Sequence, residues 1–317
     1  MTSDVIEVEA TSTALQAADN ALTQAAAQWL QELDVLPRTR SNYSKAIGRY
    51  LDFLTATGLQ GSEVSDLMAY KARLADAYSA NTINTYLVPV RGFYKWLSAR
   101  IAGVNPAANL KGAKPSRGFK KDALTPDQAL TLLRHASQDG TLKGKRNTAI
   151  LYLLLHTALR TIEVARANVE DLRPQGNVTV LWVQGKGREE KDSYVVIPPA
   201  VEERLRDYLS ARGQVEDSDP LFASLSHRNG GERMTTRSIS RLVKDALVEA
   251  GFNSSRLTAH SMRHTAVTLS LIAGATPQEA QAMARHSNIS TTMIYAHNIE
   301  RTKNPAENRV ADLLASA

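Results

Sequence analysis

Residues 260–295 read HSMRHTAVTLSLIAGATPQEAQAMARHSNISTTMIY, and the reading of the whole chain turns on them. His260, Arg263 and His264 open one helical segment. At i,i+3 spacing His260 and Arg263 share a face, and that face is suited to grip an anion. Thr276-Pro277-Gln278-Glu279 then starts a second helix: Thr276 is the N-cap, Pro277 takes the first helical position, and Glu279 completes a capping box. The segment is therefore predicted to fold back, carrying His286 toward His260, and it closes on Tyr295. Arg263 lies among apolar neighbours, and a guanidinium keeps its charge when buried, so it must find partners. His260 and His264 at i,i+4 have the spacing of a zinc helix. The residue after His260 is Ser261, however, and no carboxylate lies nearby in sequence, so no metal site is expected.

Working outward, the 317 residues suggest two domains, each long enough for its own core. No run of about 18 apolar residues argues for a membrane span, and there is no basic-then-apolar leader. The chain has no cysteine, which excludes disulfides and thiolate metal sites and fits a reducing, cytoplasmic setting. The formal charge of +6 is unevenly spread. Residues 1–20 carry four acids and no base, whereas residues 21–118 carry 12 Lys/Arg against 6 Asp/Glu. The first folded third thus has the excess that a phosphate-tracking surface or a solvated basic face would show.

Residues 1–20 are rich in Ala, Thr, Ser and acids and read as a flexible tail. From 21 to 103 the pattern is helical and predicts a four-helix domain. Tyr43, Ile47, Tyr50, Leu51 and Leu54 keep one face, Gly58 ends that helix, and Lys45 and Arg49 lie on another face. A second pattern from Asn81 to Leu97 contains Pro89, which predicts a kink. Residues 104–121 break the period and hold Lys111, Lys114, Arg117, Lys120 and Lys121 without an acid, which reads as a basic interdomain linker.

A second domain, 122–300, opens with the capping box Thr125-Pro126-Asp127-Gln128. Helices are predicted over 126–136, 144–157, 199–212 and 236–250. Alternating stretches at 178–184 and 193–197 form an antiparallel hairpin around Gly185-Lys186-Gly187. The fold class is therefore mainly α with one small antiparallel β-sheet. No phosphate-binding lysine loop and no dinucleotide fingerprint occurs. Residues 301–317, with Val310, Leu313 and Leu314, read as a short amphipathic helix on a tether.

In chain order the sequence offers Arg160 with Glu163, Lys186 in a hairpin turn, His260-x-x-Arg263, His286 and Tyr295. This constellation resembles the tyrosine recombinase family, also called phage integrases, and the helical domain before it resembles that family's core-binding domain. The resemblance implies a nucleophilic Tyr295 and a phosphate held by Arg160, Arg263 and His286. It further implies His260 as proton acceptor or transition-state stabiliser, and Lys186 as the acid for the leaving 5′-oxygen, with Lys191 as the alternative lysine. Glu163 would hold Arg160 or His260 in place. The implied reaction joins DNA through a 3′-phosphotyrosine and needs neither metal nor ATP. The implied partners are duplex DNA with a recombination site, a second protomer on that site and a tetramer in synapsis, with the tail docked on a neighbouring protomer or packed in cis. Type IB topoisomerase-like relaxation, or DNA binding without catalysis, are the alternatives. Two positions depart from the family pattern. Ala158 and Arg285 stand where the family often has glycine, and Arg285 adds a charge beside the site.

Overall fold

The computed structural model describes residues 21–101, 103–114, 122–185, 187–303 and 306–316. The chain divides into two compact units, Met1–Gly118 and Phe119–Ala317. The tail expected at 1–20 lies outside the described residues.

The first unit is a bundle of four helices: α1 over residues 21–32, α2 (Pro37–Thr57), α3 (Val64–Ala75) and α4 (Ala80–Ile101). Pro37 starts α2, where its missing N–H costs nothing, and Gly58 ends it at φ 70° while donating its N–H to the Leu54 carbonyl. Tyr50, Leu67, Leu87, Val90 and Phe93 are fully enclosed where these helices meet. Tyr50 and Tyr94 hydroxyls hydrogen-bond each other at 2.8 Å inside this core. Burial pushes the Tyr94 phenol up to about 12, so the pair stays neutral. Gly61 sits against them at φ 70°; a Cβ there would lie 2.5 Å from the Tyr94 hydroxyl, which leaves room for glycine alone. Helix α4 runs through Pro89 unbroken, and Pro89 itself is buried.

Part of the stretch read as a basic linker packs on this unit. Ala107 and Leu110 are buried in its core. The Asn84 side-chain amide brackets residue 113, accepting its N–H at 2.8 Å and donating to its carbonyl at 2.9 Å.

The second unit is built around α6 (Leu142–Thr157), which packs against α5 (Pro126–Ala136), α8 (Pro199–Arg212) and α10 (Ala259–Ile272). Both starts follow from capping: Thr125 accepts from the Gln128 N–H, and Thr141 from the Gly144 N–H. The second half of helix α6, from Ala149 to Leu155, is apolar and mostly buried, whereas its first turns carry Lys143, Lys145 and Arg146, with Lys143 exposed. Short α7 (Thr161–Arg166) leads to a three-stranded antiparallel sheet of β1 (Leu172–Gln175), β2 (Val178–Val183) and β3 (Ser193–Ile197), in that order. Strand β1 extends the expected hairpin by one strand. Its sequence, Leu-Arg-Pro-Gln, has a single apolar residue and a proline, tolerated because β1 is an edge. Leu181, Val183, Val195 and Ile197 face the core, while Trp182 pairs with Tyr194 on the opposite face with ring centroids 5.4 Å apart.

Helices α9 (Thr236–Glu249), α11 (Pro277–Ala284), α12 (Ile289–Lys303) and α13 (Ala306–Ala315) complete the unit. Thr276 caps α11 as its sequence requires, accepting from Glu279 N at 3.2 Å while Glu279 accepts from Thr276 N at 2.7 Å. No residue of α13 is buried, and Val310, Leu313 and Leu314 stand in solvent. The mainly helical architecture with a small antiparallel sheet is the one the sequence patterns predict.

Candidate active site

Arg160 and Arg263 come together because two helices end beside one another. Helix α6 stops at Ala158, which turns left-handed at φ 52°, and α11 stops before Arg285, which does the same at φ 53°. Among the described residues these are the two without a glycine's freedom that have positive φ. They are also the two positions where the sequence departs from the family's glycines. Each turn presents a carbonyl to the same guanidinium. Arg263 Nη1 donates to the Ala158 carbonyl at 2.6 Å, and Nη2 donates to the Ala284 carbonyl. Both acceptors lie at helix C-termini, where the aligned peptide dipoles favour a cation.

Arg263 is 4% exposed. Burial, followed by the nearby Arg160 charge, lowers its pKa to about 10, so it remains a cation at neutral pH. The requirement read from the sequence, a partner for a buried Arg263, is met by backbone rather than by a carboxylate.

Arg160 follows the Ala158 turn and precedes α7. Its backbone N–H donates to Glu163 Oε2 at 2.7 Å and its Nη1 to Glu163 Oε1 at 2.9 Å. Glu163 therefore engages both the backbone and the side chain of Arg160. The same carboxylate, 1% exposed, also accepts from Arg285 Nη2 at 2.7 Å. Arg285 is thus no loose charge beside the site. Its side chain is 13% exposed and ion-paired, with Nη1 donating to the Met283 carbonyl.

Helix α10 places His260 one turn before Arg263. Thr258 N–H donates to Ser261 Oγ at 3.0 Å, and Ser261 Oγ donates back to the Arg256 carbonyl at 3.1 Å, which fixes where the helix begins. Arg160, His260 and Arg263 then line one pocket of about 290 Å³, with Thr161, Ser240 and Lys244. Lys244 is a residue the sequence reading passed over; its Nζ donates to the Ser254 carbonyl at 2.7 Å, tying α9 to the loop that enters α10.

His286 and Tyr295 are not among the residues that line this pocket, but both feel the charge of Arg263, which does line it. The Tyr295 ring is half-buried against Ala158, Ala266, Val267 and Ala284. It neighbours two imidazoles, with ring centroids 4.6 Å from His264 and 6.4 Å from His286. Burial raises the Tyr295 pKa while the Arg263 charge pulls it back. His286 Nδ1 and the buried Thr292 hydroxyl are 2.9 Å apart. Thr292, six residues further on, is a second residue that sequence reasoning missed. Burial first, and then Arg263, Arg160 and Arg285, push the His286 pKa down to about 4, so its ring is neutral at pH 7. His264 is likewise pushed down to about 4, by burial and by His260. Among the described residues, no group of three His, Cys, Asp or Glu side chains converges on a metal position.

The hairpin lysine Lys186 lies outside the described residues, as do Arg117, Lys120 and Lys121. The alternative lysine, Lys191, is engaged elsewhere: its Nζ sits 2.7 Å from buried Asp171, which also accepts the Asn168 N–H. On the first unit, Lys45 and Arg49 lie one turn apart on α2 and are exposed. Arg49 donates to the Tyr78 hydroxyl at 2.6 Å and rests over the Tyr78 and Tyr86 rings. Lys111 and Lys114 are exposed, and the Lys111 carbonyl accepts from Lys71 Nζ.

Chemically, three guanidiniums face one carboxylate, so the centre carries an excess of fixed positive charge beside a neutral imidazole and a phenol. Such a site favours an oxyanion and stabilises charge that grows on it.

Comparison with known proteins points the same way. Residues 122–301 match the family described as "Phage integrase family", and residues 22–102 match "Phage integrase, N-terminal SAM-like domain". A protein named tyrosine recombinase from Synechocystis sp. is 29% identical over 88% of this chain and 92% of its own length. Tyrosine recombinase XerC of Caldanaerobacter subterraneus subsp. tengcongensis is 31% identical over 75% of this chain and 66% of its own. Among solved structures, the XerH site-specific recombinase bound to its palindromic difH substrate superposes with a TM-score of 0.69, at 17% identity over 84% of this chain and 80% of that one. At that identity the likeness speaks for the fold.

Proposed function

The chain belongs to the phage integrase family, the tyrosine recombinases, and on that premise we propose that Arg160, Lys186, His260, Arg263, His286 and Tyr295 carry out DNA strand exchange with Glu163 in support. The observation that carries this reading is the convergence of Arg160, His260 and Arg263 on one pocket, with the Tyr295 phenol and the neutral His286 ring near each other and within the field of Arg263.

A DNA phosphodiester enters the pocket lined by Arg160, His260 and Arg263. Arg160 and Arg263 donate to its non-bridging oxygens, and His286 donates through Nε2 when the Thr292 hydroxyl donates to Nδ1. Attack by the Tyr295 oxygen forms the Tyr–phosphorus bond and breaks the bond to the 5′-oxygen. The phenol proton passes to a base, assigned to His260, because a phenol whose pKa is raised by burial does not ionise unaided at neutral pH. The departing 5′-oxygen takes a proton from Lys186, since an alkoxide is a poor leaving group. The products are a 3′-phosphotyrosine and a 5′-hydroxyl. A 5′-hydroxyl from another strand then reverses the steps, so the bond energy is kept and neither ATP nor metal enters.

The duplex is gripped by both units, with Lys45, Arg49, Lys111, Lys114, Arg117, Lys120 and Lys121 assigned to backbone phosphates. Two protomers occupy each recombination site and four assemble in synapsis. The exposed stripe of Val310, Leu313 and Leu314 on α13 supports docking of the tail on a neighbour rather than in cis. The setting is the cytoplasm, and the outcome is integration or excision of a mobile element or resolution of DNA multimers, all of which run through the same exchange.

The test is a suicide duplex, nicked so that the cleaved 5′ fragment diffuses away, carrying the site from the DNA around the gene. Wild-type protein accumulates a covalent adduct, and Tyr295→Phe forms none while still binding the duplex. Absence of an adduct with wild type sinks the reading.

A further inference from the structure

The Arg285 turn carries two costs that packing does not explain. Its backbone is left-handed although it has a Cβ, and its buried Nε has no hydrogen-bond partner among the described residues. It also adds a third guanidinium to a centre that already holds Arg160 and Arg263. Strain and uncompensated polarity of this kind collect where function over-determines the local structure.

What Arg285 gains in return is a link across the fold. Its Nη2 and the Arg160 N–H share one oxygen of Glu163, and the other oxygen of Glu163 takes Arg160 Nη1. One buried carboxylate therefore joins the turn just before His286 to the start of α7, 122 residues away in sequence. We propose that Arg285 is a positioning residue that acts through Glu163, setting the distance between the phosphate-binding Arg160 on one side and His286 with Tyr295 on the other. A glycine at this turn satisfies the backbone but makes no such link; the arginine accepts a strained turn and ties the two halves of the site together. The inference rests on the reading of Arg160, His286 and Tyr295 as the reacting set.

The experiment uses full-length protein and the suicide duplex. Single-turnover cleavage, non-covalent duplex binding and thermal unfolding are measured for Arg285→Gly, Arg285→Lys, Glu163→Gln and the Arg285→Gly/Glu163→Gln double variant. Glycine is at ease at φ 53°, so Arg285→Gly folds. It should bind the duplex within about twofold of wild type and cleave at least about tenfold more slowly. Arg285→Lys should recover about threefold or more of that loss, because it restores an ion pair to Glu163. The double variant should cleave no more slowly than Glu163→Gln alone, since both changes break one link. Wild-type cleavage by Arg285→Gly, a defect that follows lost binding or lost folding, no recovery with lysine, or defects that multiply in the double variant would each overturn the proposal. A wild-type chain that forms no adduct would instead remove the reading beneath it, so the two failures are told apart.

Discussion

Replacing Arg263 by Lys separates shape from charge at the centre of the site. The guanidinium spans two carbonyls that belong to the ends of α6 and α11, at Ala158 and Ala284. A lysine ammonium is a point donor on a flexible stem and reaches one of them at best. The loss is one charge-assisted hydrogen bond, about 1.5–3 kcal/mol, together with a buried carbonyl left unsatisfied, about 1–3 kcal/mol. Part of this is recovered by relaxation, so a net loss of about 3 kcal/mol is expected. The unit concerned spans Phe119–Ala317, and in domains of that size each kcal/mol moves Tm by about 2–4 °C. Arg263→Lys should therefore melt about 6–12 °C below wild type. Removing a preorganised donor to the transition state costs about 10²–10³ in rate, or about 2.7–4 kcal/mol. Cleavage of the suicide duplex, measured well below the lowered Tm, should fall by that factor. An Arg263→Lys protein that stays within about fivefold in cleavage and about 2 °C in melting would refute both the bridging role and the phosphate role of this arginine.

The left-handed turn at Ala158 gives a second prediction. Ala158→Gly relieves about 1 kcal/mol of backbone strain and removes a fully buried methyl group worth about 0.8 kcal/mol. The terms cancel, and Tm should move by less than about 3 °C, whereas the β-branched Ala158→Val should lower it by much more. His286 and His264 both contribute to the pH dependence of stability over one window, and His264 is the one to replace. Its folded pKa, pushed down to about 4 from an ordinary 6.5, means that between these values the unfolded chain binds a proton that the folded chain refuses. Stability is thus full above pH 6.5 and falls as pH drops toward 4. His264→Phe should make that part of the profile shallower in melts taken across this range, leaving the slope that His286 supplies, and an unchanged profile would count against the burial argument. Finally, Lys191→Ala breaks the ion pair to buried Asp171 and should cost about 2 kcal/mol in chemical denaturation, below the fully buried figure, with cleavage unchanged. Lys186→Ala should slow cleavage of an ordinary duplex, yet not of one whose leaving 5′-oxygen is replaced by sulfur, which departs without a proton. Equal slowing on both substrates would remove Lys186 as the acid.

The capped helices were readable because their signals are local. Thr125, Thr276 and Gly58 each make a bond to a residue within a few positions. Strand β1 was not, since an edge strand of four residues with one apolar side chain has no period to detect. The packing of Ala107 and Leu110 was hidden among lysines, a proline and glycines, because Asn84, which holds that segment, is about thirty positions upstream. At the site the same division holds. His260 and Arg263 could be placed on one helix face from their spacing. The partner of Arg285 could not be seen, because Glu163 reaches it only through the tertiary fold. Local reading gave the added charge beside the site, and the fold adds the Glu163 carboxylate that pairs it. Thr292 likewise looks like any helix threonine until the fold sets its hydroxyl on His286.

Helix α6 fixes more than the core it fills. Ten of its sixteen residues are buried, and it delivers Arg160 directly through the Ala158 turn. One residue inserted or deleted between Leu142 and Ala158 would shift that arginine by about 1.5 Å along the axis and swing it by about 100°. No repacking around the helix's buried stretch from Thr148 to Thr157 absorbs such a change. The segment from Gly213 to Asp219, by contrast, is exposed over most of its length and aims no residue at the pocket. The spacing from Leu142 to Arg160 should therefore tolerate exchanges of similar volume but no change of length. The loop after α8 should accept insertions near Gln214, ahead of the Asp217 and Asp219 carbonyls that take the N–H groups of Glu170 and Val169, which makes it the place to carry a tag or a label without disturbing the chemistry.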